Sequence, residues 1–375
     1  MNTVWSLFKY ETYKILHSKL TIIVISLMVI LAVAMGLPLG SGPQSKEIHK
    51  AMMSMDGQVI DNGLMKEMNE SIDWVEPEWN QKTLKWTGIQ YILSLTADDA
   101  NKTYTADDFY EKRLKNQEDS MIENKLNEGE IEWWKSEKNQ LQTPFTYISS
   151  FNARALVDYM GNILLLVLLL AAVCISTVFA GEHRMKTDQI ILSTKNGRGK
   201  TFIAKMMAAF TFIMVWSAVL TAVLYLTVYL SRGLSGLEAM VQMEVPSSAY
   251  PYTFMQFFGK QLLILFAAAL LFAAVSMALS EFLRNGIAVM GLMIGFYLAT
   301  QFIYIPKSHR IISQAMTMLP TDLINLFTLY DHRLVNTFGH YHTMFDIAPV
   351  IYVFIAVILC VATWWAYRRY QVGIR

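Results

Sequence analysis

The stretch STKNGRGKTF, residues 193–202, ends in Gly199-Lys200-Thr201, the closing letters of a phosphate-binding loop. Such a loop wraps phosphates with backbone N–H groups and requires a glycine five positions before the Gly of that triplet. Here the position is Thr194. The loop must also follow a buried strand and open a helix packed on a sheet, whereas apolar runs of membrane-spanning length flank this stretch. Asn196-Gly197 and Gly199 therefore read as turn and helix-boundary signals. Lys200 and Lys205 read as interfacial anchors whose stems snorkel. A second group, DHRLVNTFGHYHTMFD, brings Asp331, His332, His340, His342 and Asp346 close in sequence. His-x-His with carboxylates nearby is a pattern that can bind zinc. The same stretch carries Phe338, Tyr341 and Phe345, as an interfacial helix would, so a gate or membrane-surface cap competes with metal binding and no metal ligand is assigned. No nucleophile–base arrangement stands out, and nothing points to nucleic acid.

The elements that position these groups follow from composition. Of 375 residues, 54% are hydrophobic and 16% charged; soluble domains carry about 25% charged residues. A span needs roughly 20 mostly apolar residues to cross ~30 Å of hydrocarbon. Six segments qualify: 21–39, 160–180, 202–230, 261–280, 286–305 and 348–366. The first is read as a retained span, because charged, aromatic-bearing sequence precedes it and no small-residue cleavage site follows. Lysine and arginine set the orientation. Lys9, Lys14 and Lys19, the basic residues between Arg184 and Lys205, Arg284, and Arg368, Arg369 and Arg375 all fall on one side. That side is the cytosol, so both termini are expected inside a cell membrane, and a bacterial cell is expected. Residues 1–20 form a cytosolic amphipathic helix, 40–155 an outside domain, 156–305 spans 2–5 with a cytosolic loop at 181–201, 306–347 an outside interfacial segment, and 348–375 span 6 and a cytosolic tail.

Residues 40–155 carry 13 basic and 20 acidic residues, and long translocated segments escape the orientation rule. The two cysteines, Cys174 and Cys360, lie in spans and cannot staple this region. It reads as helical. Thr105 with Asp108 is a capping-box pattern, Gly129 is expected to interrupt the helix that follows, and a further helix is expected from about Glu78 to Leu95 with Trp79 and Trp86. Trp133 and Trp134 fit either a core or the headgroup layer.

The cytosolic pieces are too short to fold an ATPase, which needs a core of well over 100 residues. Within the 181–201 loop, EHRMKTDQIIL (182–192) reads as one short helix with Met185, Gln189 and Leu192 on one face. At the N-terminus Trp5, Phe8, Ile15 and Leu16 cluster on one side of a helix. The span interiors carry no Asp, Glu, Lys or Arg near their middles, so ion-coupled transport lacks its usual groups. Asn162, Ser276 and Gln301 read as helix–helix hydrogen-bond positions, and Gly291 and Gly295 as a close-packing face on the fifth span.

FAGEHRMKTDQIILSTKNGRGKTFIAKMMAAF, with a span on each side, resembles the region after the second span of type-2 ABC exporter permeases. WSLFKYETYKILHSKL is similar to that family's elbow helix, and six spans with a large outside insertion after the first match its plan. The resemblance implies an all-α polytopic membrane protein with no catalysis and no cofactor in this chain. ATP and Mg would sit on a separate ATPase subunit. It implies a docking helix formed by Glu182, Arg184, Met185, Gln189 and Leu192, a second permease subunit as homo- or heterodimer, and export of a peptide, antibiotic or other amphipathic cargo, with antibiotic resistance as one outcome. The alternative from another class is a membrane-anchored sensor whose outside helical domain binds a ligand.

Overall fold

The computed structural model describes residues 2–38, 43–72, 81–96, 105–137, 141–194, 197–303 and 305–369. Trp79, Lys195 and Asn196 lie outside them. The chain begins with α1 (Asn2–Leu16) and α2 (Lys19–Gly36). Six shorter helices follow: α3 (Pro43–Met53), α4 (Asn62–Ser71), α5 (Gln81–Leu84), α6 (Thr87–Ser94), α7 (Ala106–Glu123) and α8 (Glu128–Glu137). Then come α9 (Phe151–Leu170), a π-turn over Ala171–Ile175, α10 (Thr177–Met185), α11 (Thr187–Ser193) and α12 (Lys200–Arg232). The C-terminal part holds α13 (Phe254–Leu283), α14 (Gly286–Phe302), α15 (Arg310–Thr317), α16 (Pro320–Leu323), a hairpin of β1 (Leu334–Thr337) and β2 (His340–Thr343), and α17 (Met344–Arg369).

Among the described residues, five helices are long and apolar enough to cross a membrane: Lys19–Gly36, Phe151–Met185, Lys200–Arg232, Phe254–Leu283 and Met344–Arg369. The expected fifth span is α14, whose 17 residues reach about 25 Å at 1.5 Å per residue, short of a full hydrocarbon core. α13 is the central post, packed by α17, α9, α12 and α14, while α12 also carries α1 and α2. Small residues set the closest approach. A Cβ on Gly36 would lie 2.7 Å from Thr227 Cβ, and Ser231 Oγ donates to Gly36 O at 3.0 Å.

The π-turn loosens the α9–α10 ladder, and serines of α13 satisfy what it frees. Ser276 Oγ donates to Ala171 O at 2.8 Å, and Ser280 Oγ donates to Ser176 O at 2.6 Å while accepting from Ala180 N at 2.9 Å. The expected helix–helix role of Ser276 is thus observed. Gly291 and Gly295 differ: among the described residues, no atom outside their own stretch of helix lies within 4 Å of a Cβ built on either.

The bundle has two polar ends. At the elbow end, α1, the α10–α12 loop and the end of α17 meet: Arg198 Nη1 donates to Arg368 O at 3.2 Å and Tyr367 OH to Gly197 O at 3.3 Å. At the opposite, cap end, α3–α8 sit on the segments before α13 and α17. Thr105 and Asp108 form the expected capping box. The break after α7 is not at Gly129, which lies inside α8; it falls at Lys125, with φ +52. Asn127 then caps α8 reciprocally with Glu130, through N–H bonds of 2.9 Å each way. The second expected helix is two, α5 and α6, with Trp86 buried between them. In place of an interfacial helix, residues 334–343 form the antiparallel hairpin, turning at Phe338-Gly339.

Candidate functional site

Two lysines and two glutamates meet at the elbow end, drawn from three elements. Lys205, one turn into α12, is fully buried, and its Nζ donates to Glu182 Oε1 at 2.5 Å and to Val178 O at 3.2 Å. The same ammonium lies 3.3 Å from Glu11 Oε1. Lys14 closes the ring, with Nζ 2.8 Å from Glu11 Oε2 and 2.9 Å from Glu182 Oε1. Burial works against the charged form of Lys14, but Glu11 and Glu182 outweigh it and hold the ammonium well above its usual range. A neutral quartet of charges therefore ties α1 to α10 and α12. Next to it, His183 Nε2 lies 3.3 Å from Glu281 Oε2, tying α10 to α13.

This geometry corrects the sequence reading at several positions. Lys205 does not snorkel; it is wholly buried and paired, with its ammonium 5.6 Å over the Phe179 ring. Glu182 is buried rather than presented outward, and Leu192 is packed into this chain's own core at 4% exposure. The single helix expected over 182–192 is broken at Lys186, which takes a left-handed φ of +55 and caps α10. Arg184, Met185 and Gln189 do face outward, and Ile190 joins them at 69% exposure. Sequence reasoning missed Glu11. The signal was present, because Glu11 shares the apolar face of α1 with Phe8 and Ile15 at helical spacing, and an acid on such a face needs a buried partner.

The Gly199-Lys200-Thr201 stretch forms no phosphate cradle. Gly197 closes a turn against Ile191, where a Cβ would sit 1.8 Å from the carbonyl oxygen, and Lys200 starts α12 exposed.

At the cap end the residues around His332 are dispersed. Asp331 takes Arg333 in a two-oxygen pair, through Nε at 2.9 Å and Nη2 at 2.5 Å. His332 is buried, accepts from Ala249 N at 3.1 Å through Nε2, and its carbonyl accepts the Trp134 indole N–H at 2.7 Å. Burial pushes the His332 imidazolium down to about 4. Asp346 pairs with Lys260. His340 and His342 lie on β2, and among the described residues no three such groups come together. Trp134 is core, not headgroup layer.

No curated protein matches the chain. The family profile of the ABC-2 family transporter proteins matches residues 5–371, nearly the whole chain. The chain belongs to the ABC-2 transporter family, as a multi-pass, non-catalytic permease of the kind that generally works with an ATPase subunit.

Proposed function

We propose that this chain is the membrane subunit of an ATP-driven exporter of amphipathic cargo, six-spanned, with the elbow end in the cytosol. The ATPase docks there on the outward side of the α10–α11 loop, using Arg184, Met185, Gln189 and Ile190. One observation carries the reading: the quartet fixes this loop to α1 and α12 from within, while Met185 and Ile190 stay 62% and 69% exposed on its outer side. A rigid mount with an apolar outer face is what a loop transmitting a partner's movement needs. Glu182 and Leu192 serve the mount instead of the partner. The unfilled Gly291 and Gly295 face of α14 supports a second permease subunit at that helix, where small residues let backbones approach closely. A peptide or antibiotic cargo, and resistance as its outcome, belong to the same reading.

The test is the double variant Met185→Asp with Ile190→Asp, copurified with the ATPase. Each buried aliphatic side chain is worth about 1.5–3 kcal/mol, so association is expected to fall about tenfold or more while membrane insertion is unchanged. Lys200→Ala, exposed at the start of α12, serves as the control. Association that survives the double variant would remove the loop from the ATPase interface and favour the sensor reading.

A further inference from the structure

α17 is longer than the hydrocarbon it crosses. Its 26 residues reach about 39 Å at 1.5 Å per residue, against ~30 Å of acyl chains, so its last turn emerges among headgroups. Phe354, Ile358, Val361 and Trp365 follow at intervals of four, three and four residues, which sets them in one row along the helix. All four are exposed, so the row is left to lipid.

The row ends in charge. The Arg369 guanidinium carbon lies 4.0 Å from the centre of the Trp365 ring, and that of Arg368 lies 4.8 Å from the Trp364 ring. Tryptophan belongs at the boundary between hydrocarbon and headgroups, so the two stacks hold their guanidiniums at phosphate depth. Stacking occupies the face of the planar group and leaves free the N–H edge that grips a phosphate through two parallel bonds. A third arginine is brought to the same helix end by the bond from Arg198 Nη1 to Arg368 O, 3.2 Å long. Arg154, Arg310 and Arg333 each hold a carboxylate. By contrast Arg198, Arg368 and Arg369 are exposed, and among the described residues no carboxylate pairs with any of them.

We propose that this end of α17 binds an anionic phospholipid, with the phosphate held by Arg368, Arg369 and Arg198 and one acyl chain laid along Val361, Ile358 and Phe354. A protein partner would match the arginines but not the row, which lies at hydrocarbon depth, and a free phosphate ion would leave the row uncovered. The leaflet rests on the orientation proposed above, whereas binding itself needs neither that orientation nor the ATPase.

The test therefore uses the full chain alone in detergent, titrated with dioleoylphosphatidylglycerol or dioleoylphosphatidylcholine and followed by native mass spectrometry of the first lipid retained. Three arginines facing an anionic headgroup should favour phosphatidylglycerol about a hundredfold. Arg198→Gln should weaken its binding about fivefold, and Arg368→Gln with Arg369→Gln about thirtyfold. Glutamine is as good a helix former as arginine, so neither change should alter the unfolding midpoint. Trp365→Leu keeps the apolar contact but frees Arg369, and should weaken binding about threefold. The control for net charge is Lys46→Gln with Lys50→Gln, both exposed on α3 at the cap end, which should leave binding unchanged. Undiminished binding in the double arginine variant, or an equal loss in the lysine control, overturns the proposal. So does displacement of the lipid by glycerol phosphate, which would mark a site for phosphate alone, or by the added ATPase, which would assign the arginines to that subunit.

Discussion

Lys205 is where burial and charge conflict most sharply. Taking an ammonium out of water costs several kcal/mol, and only close, well-bonded carboxylates repay it. Glu182 at 2.5 Å and Glu11 at 3.3 Å do so here. Lys205→Met leaves one uncompensated negative charge, and should cost about 3–5 kcal/mol of stability. Lys205→Met with Glu182→Leu leaves the Lys14–Glu11 pair, 2.8 Å apart, in a neutral site and should recover much of the loss. Equilibrium unfolding of the two variants in detergent measures this coupling; a double variant less stable than the single one would show that the quartet does not act as a charge-balanced unit. His332 offers a pH-dependent counterpart at the cap end. Its pKa, ordinarily 6.5, falls to about 4 in the fold. Stability is then full above pH 6.5, falls as pH drops from 6.5 to about 4, and changes no further below, by at most about 3 kcal/mol at 1.36 kcal/mol per pH unit. Hydrogen exchange of the Ala249 amide, which donates to His332 Nε2, should lose protection across that window and would stay flat if the imidazole carries no such penalty. At this scale the sequence was only half legible. Residue type located Lys205 near a span end, but whether it reaches water or an acid depends on tertiary partners, Glu182 on α10 and Glu11 on the distant α1.

Elements were more legible, because an apolar run of sufficient length has few alternatives to a spanning helix. The five long helices fall on expected spans, and the capping box at Thr105 appears as its residue pattern requires. Departures occur where tertiary partners decide. Nothing local marks Lys186 as the break between α10 and α11, since neither Gly nor Pro is there. The hairpin carried a readable signal, a Phe338-Gly339 turn with both φ positive, matching the two-residue hairpin turn, but the surrounding aromatics favoured a helix. The π-turn of Ala171–Ile175 depends on Ser276 and Ser280 of a different helix. Ser280→Ala removes a donor to Ser176 O and the acceptor for Ala180 N at once. It should cost about 1–3 kcal/mol, the penalty for leaving a buried polar group unpaired, with the loss confined to the elbow half of α10. Thermal unfolding combined with hydrogen exchange checks it; unchanged exchange at Ala180 would mean that the π-turn is held by packing alone.

Across the whole molecule, the two polar ends are built on different principles. The elbow end is tied by the quartet, the His183–Glu281 contact and the Arg198 and Tyr367 bonds to α17 and the loop. The cap end is knitted into the bundle by polar contacts of its described residues. Glu130, fully buried, accepts from Arg310 Nη2 at 2.5 Å and from Leu334 N at 2.9 Å. Tyr91, Arg154 and Glu244 join the same region to α9 and the segment before α13, with Arg154 Nη1 at 2.6 Å from Tyr91 OH and 2.5 Å from Glu244 Oε2. Excising Ala106–Glu137 would therefore strip Arg310 of its carboxylate, Leu334 N of its acceptor and the His332 carbonyl of the Trp134 indole. Each buried group left unpaired costs about 1–3 kcal/mol, more for the charged one. The excised protein should still insert, because the five long helices carry their own apolar surface, but residues 331–343 should become sensitive to protease and the unfolding midpoint should fall. ATPase association should persist, since every contact at the elbow end lies at the opposite pole of α9, α12 and α13. Limited proteolysis and copurification on the same preparation separate the two ends. An excised protein that keeps residues 331–343 protected would show the cap to be separable after all, and one that loses the ATPase while its quartet remains intact would show that the poles are coupled through the bundle, with the cap holding the long helices in the register that the elbow end requires.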